Sequence, residues 1–219
     1  MRTIIVIPAR NEAALIDRCL RSIAVARLAH CSVVVVADSC DDDTAAIARG
    51  FPGVEVLEVG FANVGAARRA GIEYAIPGAT WIACTDADSV VPANWITDQR
   101  AHERRGADVV VGTVRPDPRD LDEQQRLAWT ARHDPVNANG HVHGANLGIR
   151  ASAYAAVGGF RSLAEHEDVE LVARLAASGA TIVAANTSEV LTSGRSLGRT
   201  PGGYARYLSA DLMGVDAIA

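Results

Sequence analysis

Apolar and polar positions come in alternating blocks along this chain, and the blocks change period from two to about 3.6. Residues 3–8 are a short, nearly all-apolar run rich in β-branched side chains, which predicts a strand buried on both faces. Residues 12–29 carry Leu15, Ile16, Cys19, Leu20 and Ile23 at helical spacing. Residues 32–37, with Val33, Val34, Val35 and Val36 in a row, predict a second buried strand. A polar turn over 38–43 leads to a short helix over 44–49, and 54–59 reads as a third strand. Residues 63–75 predict a helix that Pro77-Gly78 stops. Residues 80–84 predict a fourth strand ending at an acidic turn, 92–105 a helix and 108–114 a fifth strand. Strand and helix thus alternate through about residue 115, which predicts a parallel sheet with helices on both faces and right-handed crossovers.

The second half is less regular. A Pro/Asp loop over 116–119 precedes a helical stretch over 121–132, and 133–146, rich in His, Asn and Gly, reads as loop. A turn at Gly158-Gly159 follows. Residues 167–178 are amphipathic, with Val169, Leu171, Val172, Leu175 and Ala176 apolar and Gly179 at the C-terminal cap. Residues 181–185 and 188–191 are strand-like, and 193–203, with its Gly, Pro and Arg, reads as a mobile loop. No repeat or linker divides the chain. The expectation is a single domain over 1–219, regular over 1–115 and less regular over 116–219.

Composition narrows the function. The net charge of -5 gives no reason to expect a nucleic-acid partner. The basic side chains other than His are all Arg, a bias that weakens any argument from clustered arginine. Cys19, Cys31, Cys40 and Cys84 show no metal-ligand spacing and read as free thiols. The apolar N-terminal run is short for a signal peptide, and no stretch reaches the length of a membrane span. The sequence therefore reads as a soluble, cytoplasmic protein without an integral membrane segment, and a homo-oligomer stays open.

In open parallel sheets, ligands bind beyond the carboxyl ends of the strands. Pro8-Ala9-Arg10-Asn11-Glu12 follows the first strand, Asp38-Ser39-Cys40-Asp41-Asp42-Asp43-Thr44 the second, and Thr85-Asp86-Ala87-Asp88-Ser89 the fourth. Gathered carboxylates repel unless a cation or donor lies among them. A Mg²⁺ or Mn²⁺ ion is the economical expectation, since both take oxygen ligands and bind substrate phosphates. The competing reading of each Asp is a cap or turn residue. No G-x-G-x-x-G follows the first strand, and the P-loop motif and the nucleophile elbow are absent, which disfavours dinucleotide oxidoreductases, P-loop phosphotransferases and α/β-hydrolases.

Six segments then occur in a recognisable order: Ile7-Pro8-Ala9-Arg10-Asn11-Glu12, the acidic turn from Asp38, Asn63-Val64-Gly65-Ala66-Ala67-Arg68, Thr85-Asp86-Ala87-Asp88, Gly144-Ala145-Asn146 running through Arg150 to Gly158-Gly159-Phe160, and Glu167-Asp168. Together they resemble the family 2 glycosyltransferases, from residue 3 to about 175. The resemblance implies a GT-A fold, a Rossmann-like α/β/α sandwich with a mostly parallel central sheet. It implies transfer of a sugar from a UDP- or GDP-linked donor to an unknown acceptor hydroxyl, by metal-assisted single displacement with inversion. Pro8, Ala9, Arg10, Glu12 and Asp38 would hold the nucleoside, with Arg68 near the nucleotide. Asp86 would face the ribose or the metal, and Asp88 would ligate the metal. Asp168, paired with Glu167, would be the general base. Gly144, Ala145 and Asn146 would line the donor-sugar and acceptor cleft. His141 and His143 flank it, and His143 is an alternative metal ligand.

Two departures stand out. The His that the family often supplies after its last strand is missing from Thr192-Ser193-Gly194-Arg195-Ser196, and the chain is close to a minimal catalytic domain. Residues 194–206, with Arg195, Arg199 and Arg206, read as a lid over the diphosphate. Two rivals compete with transfer. A sugar-phosphate nucleotidyltransferase would want a Gly-rich loop where Pro8–Glu12 stands. A non-catalytic nucleotide-sugar-binding subunit would have no use for Asp168.

Overall fold

The computed structural model describes residues 2–134, 136–198 and 202–213. The all-apolar strands are explained by two cores, one on each face of the sheet. Along β1 (Arg2–Ala9), Ile5 and Ile7 face one side while Ile4 and Val6 face the other. In β2 (Cys31–Asp38), Val33 and Val35 alternate with Val34 and Val36 in the same way. The first core receives α1 (Ile16–Ala26), α2 (Thr44–Arg49) and α4 (Trp95–Arg104). The second receives α3 (Val64–Ala75), α6 (Ala151–Ala156) and α7 (Glu167–Ala177). Helix α3 lies close to the sheet because Gly71 has no side chain; a Cβ there would sit 2.6 Å from Val36 and 2.8 Å from Val6.

With β3 (Val54–Val59), β4 (Ala79–Cys84), β5 (Val109–Pro116), β6 (Leu147–Arg150) and β7 (Ile182–Thr192), the described residues form one seven-stranded sheet in the order β3-β2-β1-β4-β6-β5-β7. Every pairing is parallel except the two made by β6, which runs antiparallel between β4 and β5. The mostly parallel α/β/α sandwich is as expected, and the one sheet draws strands from both halves of the chain. The chain order reverses between β1 and β4, which opens a crevice at the carboxyl ends of the strands.

Three local outcomes differ from the sequence reading. The four-residue β6 and the short α6 went unread, because Gly148 interrupts the apolar pattern of β6. That glycine is required: a Cβ would meet Gln99 Oε1 at 2.6 Å and Trp81 at 2.7 Å. The two expected strands over 181–185 and 188–191 are one strand with a register shift, Gly112 pairing Ala185 and Val114 pairing Val190. The helix expected over 121–132 begins two residues later, as α5 (Glu123–Arg132), where Asp122 and Gln125 form a capping box. No helix among the described residues is long and apolar enough to cross a membrane.

Candidate active site

The crevice at the strand ends is a cleft of about 890 Å³. Its walls include Pro8, Ala9, Arg10 and Glu12 after β1, Asp38 at the end of β2, and Asp86 and Asp88 after β4. Arg68, Gly144, Ala145, Glu167 and Asp168 line it as well. All the expected site residues but Asn146 therefore share one cavity.

The rim is built from tight turns. The non-glycine residues with left-handed backbone among the described residues are Asn11, Ser39, Ala62 and His166, and each lies in or next to the cleft wall. Asn11 accepts a hydrogen bond from Asp41 N at 2.9 Å, Thr44 Oγ1 accepts from Glu12 N at 2.8 Å, and Asp42 accepts from Ala13 N at 3.0 Å. These bonds zip the loop after β1 to the loop after β2. The acidic run at 41–43 thus belongs to this loop contact. Asp42 binds Ala13 and Thr44, and none of the three Asp side chains lines the cleft. Asp38, expected at the base of the nucleoside, is buried and accepts from three successive amides, Phe61, Ala62 and Asn63, at 2.7–2.8 Å. It fixes the turn into α3, where the Asn63 side chain caps the helix through Ala66 N at 2.9 Å.

Arg68 projects from α3 beneath the cleft floor and is 3% exposed. One of its nitrogens donates to Asp86 Oδ1 at 2.6 Å and another to Glu167 Oε1. It is a strut between the β4 turn and the start of α7, and it lines the cleft. Burial pushes the Asp86 carboxyl up to about 6, with Arg68 opposing and Asp88 adding to the rise. Glu167 was expected in the catalytic pair. It is buried and its carboxylate is engaged by Arg68.

Asp168 is the other half of that pair. The left-handed turn at His166 starts α7, and both acids that follow line the cleft, Glu167 buried and Asp168 half-buried. Asp168 Oδ2 accepts from Gly144 N at 2.6 Å and Oδ1 from Val169 N at 2.8 Å. Gly144 must be glycine, since a Cβ there would lie 2.3 Å from Arg68 Nη2. Asn146 departs from its expected place in the cleft wall. It is 1% exposed, accepts from Trp95 Nε1 at 2.8 Å, and donates to Thr113 O and Ser188 O, both at 2.9 Å. Those carbonyls fall within the register shift between β5 and β7, and the Asn146 amide bridges them. Its carboxamide is a core joint, and Gly112 leaves room for it.

The D-x-D turn is tied to the end of β7. Val90 and Leu191 form an antiparallel bridge, and Asp88 Oδ1 accepts from Ser89 Oγ and Thr192 Oγ1, both at 3.3 Å. Arg195 Nη2 donates to Asp88 Oδ2, and to Glu12 Oε1 at 2.8 Å. Each carboxylate of the turn therefore already faces an arginine, Asp86 with Arg68 and Asp88 with Arg195. No three His, Cys, Asp or Glu side chains gather as a metal cage among the described residues. With an arginine on each carboxylate, no third His, Cys, Asp or Glu among the described residues stands beside Asp86 and Asp88 for the Mg²⁺ or Mn²⁺ expected there. His143 lines the cleft beside Tyr204, at 5.8 Å between rings, and burial holds its imidazole down to about 4 against the pull of Asp168. Arg206 is exposed and outside the cleft wall, and Arg199 lies outside the described residues.

Sequence reasoning missed the aromatic end of the cleft, where Trp129, Tyr204 and Tyr207 stand, with the two tyrosine rings stacked at 5.8 Å. Its signal was faint: Trp129 is on a helix with no buried residue, and the tyrosines lie beyond the last strand.

Known proteins agree with this architecture. S. aureus TarS 1–349 in complex with UDP-GlcNAc superposes with a TM-score of 0.73 at 15% identity, over 93% of this chain and 62% of that one. Its complex with UDP gives 0.70 at 15% identity, over 89% and 61%. For TarS itself the values are 0.69 and 15%, over 88% and 37%. This chain thus spans about three fifths of the TarS fragment's length. At that identity the likeness shows a shared GT-A fold. No curated protein matches the sequence. The model of glycosyl transferase family 2 matches residues 4–157, more than half of the chain, and the chain belongs to that family.

Proposed function

We propose that the protein transfers a sugar from a nucleoside-diphosphate donor to an acceptor hydroxyl, in one displacement with inversion at the anomeric carbon. The observation that carries this reading is Asp168, held by Gly144 N in the same cleft as the Asp86–Asp88 turn. The loops after β1 and β2 take the nucleoside, and residues 1–115 form the donor half. Residues 116–219 supply Gly144, Ala145 and the aromatic end, where the acceptor enters. The TarS structures hold UDP-GlcNAc and UDP, which supports a uridine donor here.

The acceptor oxygen attacks the anomeric carbon from the face opposite the diphosphate. Its proton passes to the Asp168 carboxylate as the new C–O bond forms. The bond from the anomeric carbon to the β-phosphate oxygen breaks, and the nucleoside diphosphate leaves with that electron pair. Gly144 N and Val169 N hold the carboxylate in one orientation, which shortens the search for an in-line geometry. The resemblance implies Mg²⁺ or Mn²⁺ at Asp88 and Asp86, where it would act as a Lewis acid on the leaving group. Because the turn's carboxylates are already matched by arginines, no step here runs through a metal.

Replacing Asp168 by Asn tests the assignment. Turnover should fall by about 10²- to 10⁴-fold while UDP still raises the melting temperature as in the unmodified protein. Near-normal turnover in Asp168→Asn would remove Asp168 from the reaction, and a product retaining the donor's anomeric configuration would remove the single displacement.

A further inference from the structure

Arg195 occupies a built position and not a frayed one. Asp120 accepts from Gly194 N at 2.9 Å and from Ser193 Oγ at 3.2 Å, and Asp117 N donates to Thr192 O at 2.7 Å. Gly194 lets the backbone pass close to Leu121, where a Cβ would lie at 2.9 Å. The arginine that follows reaches the D-x-D turn and places one nitrogen between Glu12 and Asp88. Two carboxylates on separate loops converge there, an arrangement that needs a cation between them. Nη2 makes both contacts, and among the described residues Nε and Nη1 make no hydrogen bond. Each of those donors lies in the guanidinium plane and is open to a phosphate oxygen. The arginine is about a quarter exposed on the cleft wall, so a ligand can reach it.

We propose that Arg195 is the cation of the diphosphate subsite: it neutralises Asp88 and Glu12 in the free protein and binds the donor's diphosphate, so that nucleotide binding proceeds without a divalent metal. This rests on the proposed use of a nucleoside-diphosphate donor. It accounts for the missing histidine after β7, because an arginine reaches the turn from the same segment. It gives the leaving diphosphate a fixed positive partner that costs no reorganisation as charge develops.

Calorimetric titration with UDP, with GDP as a second probe, tests the proposal in excess chelator and again with Mn²⁺. The unmodified protein should bind UDP with chelator present, within about threefold of its affinity in Mn²⁺. Arg195→Ala should bind UDP about 10- to 100-fold more weakly in chelator, the scale of a lost charge-assisted contact, and Arg195→Lys should recover part of it. Arg69→Ala, an exposed arginine paired with Glu73, should bind as the unmodified protein does. Uridine, which has no phosphate, should bind Arg195→Ala and the unmodified protein alike. Loss of UDP binding on chelation alone would overturn the proposal, and so would unchanged UDP affinity in a folded Arg195→Ala. Failure of both UDP and GDP to bind the folded protein, with Mn²⁺ or without, would overturn the donor reading itself and the proposal with it.

Discussion

Replacing Arg68 by Met should destabilise the protein more than any substitution on its surface. The guanidinium is 3% exposed and is the shared partner of Asp86 and Glu167, and it lies 5.7 Å from the Phe160 ring centre. Methionine fills much of the same volume and removes the charge. Glu167, with a side chain 7% exposed, is then left as a buried carboxylate without its cation, and Asp86 loses its own at the cleft floor. Removing one partner of a buried ion pair costs about 3–5 kcal/mol. A domain of this size loses roughly 2–4 °C per kcal/mol, so the melting temperature should drop by about 6–20 °C. Circular dichroism on heating measures it. Neutralising the orphaned groups in Arg68→Met/Asp86→Asn/Glu167→Gln should recover most of the loss, because the penalty lies in the unpaired charges and not in a missing contact. A melting point of Arg68→Met within about 2 °C of the unmodified protein would refute the strut, as would a triple variant no more stable than the single one.

Asn146→Ala should cost on the order of 3 kcal/mol, read as a lower urea midpoint at unchanged slope, because Trp95 Nε1, Thr113 O and Ser188 O all lose a buried partner. The His143 imidazole, at about 4 in the fold against 6.5 in the unfolded chain, leaves the folded form neutral while the unfolded chain takes up a proton. Stability is therefore full above about pH 6.5 and declines as pH falls toward 4; about 2 kcal/mol should be lost by pH 5, and His143→Gln should flatten that part of the urea-derived curve relative to the unmodified protein.

Much of the fold was legible because buried parallel strands leave a plain mark. The four valines from Val33 to Val36 have no polar face to show, and the helices between such runs carry one apolar stripe each. The last third was harder to read for a specific reason. Strand β6 holds Gly148 because a Trp and a Gln occupy the space above it, so the residue that makes the pairing possible also erases the pattern that announces it. Strand β7 reads as two because its register shift falls on polar residues, Asn186 to Glu189, and the compensating amide comes from Asn146, far off in sequence. Local pattern carries no information on a joint of that kind.

The site shows a sharper divide. Sequence order sufficed to name the cleft residues, since most of them follow strands of a parallel sheet and so share its carboxyl edge. It did not suffice to say which carboxylates are available to a ligand, because that depends on partners from distant segments. Asp38 and Asp42 are occupied by backbone amides, Glu167 by Arg68, and Asp88 by Arg195, 107 residues later. What looks in the sequence like an excess of negative charge awaiting a metal is, in the fold, a set of carboxylates matched nearly one by one to donors. Asp168 is the contrast that gives the cleft its polarity. The donors the structure gives it are the backbone amides of Gly144 and Val169, which orient it without placing a cation on it. The arginines therefore do more than hold the cleft together: Arg68 engages Asp86 and Glu167 and Arg195 engages Asp88 and Glu12, while the donors to Asp168, proposed as the base, are backbone amides.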